Sequence, residues 1–133
     1  MTVVVKLGGS VVTEKDEPET LDEEAIGQAA AAVAAADEEV VVVHGGGSFG
    51  HHHATRHGVS RTDGTHDAVA VREIHEAMNR LNDAVVDALA DAGVPAVPVH
   101  PLSAGSRDAS GDLDLPTGQV ATMLGEGFVP VLH

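Results

Sequence analysis

Two glycine-rich stretches of this sequence each follow an apolar run, and each carries residues able to meet a phosphate. The first reads KLGGS, Lys6 to Ser10, with Lys15 a few residues on. The second reads HGGGSFGHHHAT, His44 to Thr55. Backbone amides of glycine loops approach anionic oxygens closely because no Cβ intervenes. Lysine adds charge to such a site and imidazole a hydrogen bond. Lys6 and Lys15 are the only two lysines in the chain, and both flank the first glycine turn.

Read alone, the second stretch fits several chemistries. Gly45, Gly47 and Gly50 match the dinucleotide pattern G-x-G-x-x-G. That pattern opens directly into a helix, whereas HHHATRHGVSRTDG reads as poor helix-forming sequence up to about Thr65. Its acidic partner would fall near Asp63 or Asp67, away from a second strand's end. The same letters match G-x-S-x-G around Ser48, while HGGG resembles an oxyanion loop. Those two motifs belong on separate loops and here they overlap; the only late histidines for a triad are His100 and His133. The histidine run with His57 invites a metal, yet adjacent histidines in an extended loop diverge, and H-E-x-x-H is absent. His52, His53 and His57 therefore read as solvent-facing. The fourth reading pairs this stretch with KLGGS. Two glycine loops at one sheet edge, with Lys6, Lys15 and His51 between them, would hold two phosphates facing one another for phosphoryl transfer. No Walker A sequence is present.

Positioning these loops takes a parallel sheet. MTVVVKL is a short strand, and EVVVVH is a strand without alternation, as expected when both faces are covered. Between them Thr20 and Glu23 have capping-box spacing for a helix from about Leu21 to Asp37. A long helix is predicted over Thr65 to Ala92, with Val71, Ile74, Met78, Leu81, Val85 and Leu89 on one face and Gly93 and Pro95 ending it. VPAVPV is a third strand, LSAGSRDASGDLDL a hairpin or excursion, and Thr117 can cap a short helix to about Leu124 before the strand FVPVLH. The order implies an α/β three-layer sandwich with a mostly parallel sheet flanked by helices, in a single domain over residues 1–133.

Composition narrows the function classes. Of 133 residues 43% are hydrophobic, but Phe49 and Phe128 are the only aromatics, so the core must be aliphatic. There is no cysteine, which excludes thiolate chemistry. A formal charge of −14 argues against nucleic acid as a partner, and a carboxylate-rich surface of this kind suits a high-salt cytoplasm. No apolar run is long enough for a membrane span. The chain is expected to be soluble and cytoplasmic.

VVVKLGGSVVTEK together with VVVHGGGSFGH resembles the amino acid kinase superfamily, and within it the isopentenyl phosphate kinases of archaea and the similar fosfomycin kinases. HEAMNRLNDAVVDAL and GFVPVLH are similar to stretches of the same family, so the resemblance runs through the whole chain. It implies an enzyme that uses ATP and Mg²⁺ to convert isopentenyl phosphate, a small-molecule phosphate substrate, to isopentenyl diphosphate in isoprenoid synthesis, as a homodimer. On this resemblance Lys6, Gly8, Gly9, Ser10 and Gly47 contact nucleotide phosphates, and Gly46, Gly50 and His51 hold the acceptor's phosphate. Lys15 stabilises the moving phosphoryl group, so that Lys6, Lys15 and His51 are the catalytic set. No protein metal ligand is implied. The prenyl tail needs an apolar slot, sought among Ile74, Met78, Leu81 and Val85. Family members have proline where this chain has His52, and they continue past VPVLH into a nucleotide-binding half. The 133 residues are therefore expected to be the acceptor-binding half of a longer chain, inactive by themselves. A kinase of another small phosphonate or carboxylate, and a non-catalytic module for a phosphorylated ligand, remain alternatives.

Overall fold

A computed structural model describes all 133 residues. The valine-rich runs become β1 (Thr2–Leu7) and β2 (Glu39–His44), paired in parallel with Leu7 opposite His44, so both glycine loops leave the same sheet edge. After β1 comes a single helical turn, α1 (Gly9–Val12), where the sequence suggested only a glycine turn. Helix α2 (Glu23–Ala34) follows. Its cap is Asp22, whose carboxylate accepts from the Ala25 amide at 3.0 Å, and not Thr20, whose hydroxyl turns back to the Pro18 carbonyl.

The largest departure comes after β2. Residues Gly47–Arg56 form helix α3, although His51 to Arg56 were expected in a loop. Tertiary packing overrides the weak propensity: Phe49 is buried in the core, and α3 lies along the long helix α4 (Ala68–Asp91). The latter starts at an Asp67 cap that accepts from Val69, close to the expected boundary. Strand β3 (Ala96–Val99) and a 3₁₀ turn at Pro101–Ser103 lead to a small antiparallel hairpin, β4 (Ser106–Arg107) with β5 (Leu113–Asp114). Helix α5 (Gly118–Gly125) then precedes β6 (Val129–Leu132). Thr117 stands at the cap position of α5, but its side chain makes no capping bond.

The main sheet has four parallel strands in the order β1-β2-β6-β3. The chain advances from β1 to β2 to β3 and then returns to insert β6. Right-handed crossovers thus put α2, α3 and α4 on one face and α5 on the other. The larger core joins Val40, Val42 and Val131 to Ile26, Leu81 and Val85, while Val41, Val99 and Leu132 pack with Val120, Met123 and Leu124 of α5. The expected three-layer sandwich is the observed one. Leu81 and Val85, offered for an apolar slot, are fully inside the first core. No helix is long and apolar enough to cross a membrane.

Candidate functional site

The two glycine loops are in backbone contact. The Gly45 amide donates to the Leu7 carbonyl at 2.9 Å, tying the second loop to the end of β1. A Cβ on Gly9 would lie 2.2 Å from the Gly47 nitrogen, and one on Gly45 would lie 2.8 Å from the Gly9 nitrogen. Gly47 also has φ +48°, a left-handed conformation natural only to glycine here. The glycines are therefore demanded first by the approach of the loops to each other. What that approach leaves over is chemical: the amides of Gly8 and Gly46 have no acceptor within the chain, and each lies where its loop turns into a helix.

Thr13 locks the arrangement. Its hydroxyl donates to the Gly9 carbonyl at 2.7 Å and accepts from the Ser48 amide at 3.0 Å, so one buried side chain spans both loops. The Ser48 hydroxyl is in turn within 3.3 Å of the Thr20 amide and 3.4 Å of its carbonyl. No histidine bonds it, so the structure gives Ser48 a bracing part and no general base.

Between the loops opens a cavity of about 780 Å³ whose wall is all polar residues, glycine and one proline. Gly9, Ser10, Lys15, Gly47 and His51 line it, five of the residues singled out in the sequence. Thr13, Ser48, His52, Thr55 and Arg56 line it too, and Asp16 is the one acid on its wall. The spacings His51–Thr55 and His52–Arg56 are i, i+4, which places each pair on one face of α3; they were invisible while the segment was read as a loop. Lys15 and Arg56 bring two cations to this wall, beside the imidazoles of His51 and His52, in a chain of net charge −14.

The other predicted site residues lie outside this wall. Lys6 is paired with Val43, so its side chain leaves the sheet on the α5 face, at the exposed end of β1. Gly46 and Gly50 face the thioether of Met78: a Cβ on either would come within 3.1 and 2.7 Å of its sulfur. Met78 and Ile74 are half-buried on α4, next to the second loop but not in the polar cavity.

Four histidines gather here, His75 on α4 and His44, His100 and His133 at the ends of β2, β3 and β6. His44, buried, donates from Nδ1 to the Gly45 carbonyl at 3.0 Å and accepts at Nε2 from Asn82 at 2.9 Å. Accepting at Nε2 requires the neutral ring, and burial holds its pKa below the usual value against the Gly45 hydrogen bond, which raises it. The rings of His75, His100 and His133 follow at centroid distances of 5.5–6.1 Å. Burial, and then repulsion from His44, His100 and His75, lowers His133 from 6.5 to about 4. An unfolded chain would take up this proton before the folded one. Stability therefore falls as pH drops from about 6.5 towards 4 and gains nothing from this ring above 6.5. His133→Asn should flatten that part of a plot of thermal midpoint against pH; an unchanged slope would exclude His133 as its source.

On the outer side of α3 the acids are paired. His57 and Arg56 approach Glu73 at 2.6 and 3.9 Å, and its carboxyl is held below the usual range, chiefly by the His57 hydrogen bond.

Comparison with known proteins bears on all of this. The chain is 68% identical to the isopentenyl phosphate kinase of Haloferax volcanii over 133 aligned residues, which cover 98% of this chain and 54% of that protein. The crystal structure of the T. acidophilum isopentenyl phosphate kinase product complex superposes with a TM-score of 0.85 at 29% identity, covering all of this chain and 54% of that one. A crystal structure of an isopentenyl phosphate kinase substrate complex gives 0.85 at 30% identity, over the whole of this chain and 53% of the other. The chain thus spans about half the length of the relatives it matches. The amino acid kinase family model matches residues 1–133 without a break, and with the two-loop geometry described above it establishes that the chain belongs to the amino acid kinase family.

Proposed function

We propose that the protein to which this chain belongs transfers the γ-phosphoryl group of ATP to isopentenyl phosphate, giving isopentenyl diphosphate and ADP. The observation that carries the proposal is the cavity between two touching glycine loops, with Lys15, Arg56 and His51 on its wall and no hydrophobic side chain apart from Pro18. Glycine-loop amides and two cations converging on one cavity suit phosphate oxygens. In the transfer, an oxygen of the acceptor's phosphate bonds to the γ-phosphorus while the bond from that phosphorus to the β–γ bridging oxygen breaks. Charge spreads over the equatorial oxygens in between, so positioned cations and amides do most of the catalysis.

Within that reading Lys15 neutralises the moving phosphoryl group, and His51 donates to the acceptor's phosphate beside the free amide of Gly46; the Gly50 amide is bonded to the Gly46 carbonyl, so Gly50 serves the substrate by leaving room beside Met78. Gly8, Gly9, Ser10 and Gly47 cradle the nucleotide phosphates. Lys6 joins them on the family resemblance and its place at the end of β1. The prenyl tail's apolar slot is assigned to Met78 and Ile74, which lie beside the second loop and outside the cavity wall. Mg²⁺ belongs to the same reading, but these residues do not form a site for it. Asp16 is the sole acid on the cavity wall, and no three metal-ligating side chains are arranged to hold an ion; no step is assigned to the ion. A homodimer rests on the resemblance, and a cytoplasmic location on the composition. The test is ADP release by the full-length protein, in high salt, with isopentenyl phosphate, dimethylallyl phosphate and fosfomycin in parallel. High salt matters because the Debye length shrinks to about 3 Å at 1 M, screening the acidic surface from anionic substrates. Turnover with isopentenyl phosphate is expected; turnover confined to fosfomycin would overturn the assignment.

A further inference from the structure

Lys15 rides on an excursion between α1 and α2 whose two ends are pinned. Thr13 bridges to Leu21, the Glu14 amide donates to the Thr20 carbonyl at 2.9 Å, and the Asp22 amide donates to the Val12 carbonyl at 3.0 Å. Nothing in that ladder fixes how the tip sits over the cavity. Glu19 does. Its amide donates to the Ser48 carbonyl at 3.0 Å, which fastens the tip to the start of α3. Its carboxylate accepts from His53 Nε2 at 3.1 Å and from the Arg80 guanidinium, so one side chain ties the excursion to both α3 and α4.

Glu19 is also the only non-glycine residue with positive φ, at +48°. That conformation costs an L-residue on the order of 1 kcal/mol, and glycine would take it freely. A glutamate kept at a glycine-type position points to its side chain as the reason. Exposed ion pairs contribute little to stability, and Arg80 is about half exposed, so fold stability is a weak reason. Placement is a better one, because His53 lies on the helix that carries His51, and a clamp on α3 sets Lys15 and His51 at a fixed separation across the cavity.

We propose that Glu19 is a positioning residue that, through His53 and Arg80, holds the Lys15 excursion in register with His51; this rests on the reading of Lys15 given above. Glu19→Gly is the informative variant, since it removes the carboxylate and relieves the backbone conformation together. In the full-length protein its thermal midpoint should equal or exceed that of the parent. Its kcat should fall roughly tenfold, as misplacement of a catalytic group does, with KM for isopentenyl phosphate changed far less. Arg80→Ala should lower kcat in the same way, and combining it with Glu19→Gly should add little.

The decisive comparison is made in a Lys15→Ala background. If Glu19 acts through Lys15, Glu19→Gly lowers kcat no further there. A tenfold loss in both backgrounds, or an undiminished kcat for Glu19→Gly beside a large loss for Lys15→Ala, would overturn the positioning role while leaving that of Lys15 intact. A Lys15→Ala variant as active as the parent would instead remove the premise, and the proposal with it.

Discussion

Replacing Lys15 with alanine in the full-length protein is expected to lower turnover of isopentenyl phosphate about 100-fold or more, the loss typical of removing one charge or donor that acts on the transition state. Lys15 is one of only two lysines, it lines the polar cavity, and its excursion is fastened at both ends and at the tip. Its backbone is already in place when the phosphoryl group loosens from its bridging oxygen, so the loss of its charge should appear mainly in kcat. His51→Ala should show a comparable loss divided differently: a donor to the acceptor's phosphate acts on bound substrate as well as on the transition state, so KM should rise too. Steady-state rates across both variants check this, and unchanged rates in both would remove the site assignment.

A methyl group on Gly9 is the second change expected to have a large effect, though Gly9 need not touch a reacting atom for this to hold. Its Cβ would come within 2.2 Å of the Gly47 nitrogen and 2.5 Å of the Gly47 Cα, backbone atoms that cannot rotate away. The loops must separate, and the Thr13 bridge between the Gly9 carbonyl and the Ser48 amide must stretch with them. Overpacking of this kind costs about 1–3 kcal/mol. Because two phosphates would have to meet across that gap, a shift near 1 Å should also reduce turnover by about 100-fold. Gly27→Ala is the matched control. Gly27 lies exposed within α2, with nothing inside 4 Å of a new Cβ, so alanine there should stabilise by about 0.5–1 kcal/mol and leave turnover alone. Thermal unfolding and kinetics on the pair separate the two effects; a Gly9→Ala protein as active as the parent would mean that loop contact is not what the site requires.

The sheet was legible in the sequence because its strands are short valine runs with no alternation, and because the two glycine stretches follow strands whose parallel pairing leaves one geometry open to them. Helix α4 was legible from period alone. Helix α3 was not, since Gly47 to Arg56 owes its helicity to Phe49 in the core and to packing on α4, neither of which propensity registers. That error hid Arg56 and Thr55 from the site. Thr13 and Glu19, and the bracing role of Ser48, escape the sequence for another reason: each matters through a partner 28 to 61 residues away, and no spacing rule reaches that far. The histidine cluster joins residues from three strand ends and one helix. Its one sequence trace is that His44, His100 and His133 each close an apolar strand.

The central claim is that the two glycine loops bring donor and acceptor phosphates together for direct transfer. Following the γ-phosphoryl group itself tests it most directly. With γ-labelled ATP and isopentenyl phosphate, the full-length protein should yield isopentenyl diphosphate labelled at its terminal phosphate, with no label on acid-precipitated protein at any time in the first turnover. Label retained on Ser48 or His51, or ADP formed without labelled diphosphate, would contradict the account.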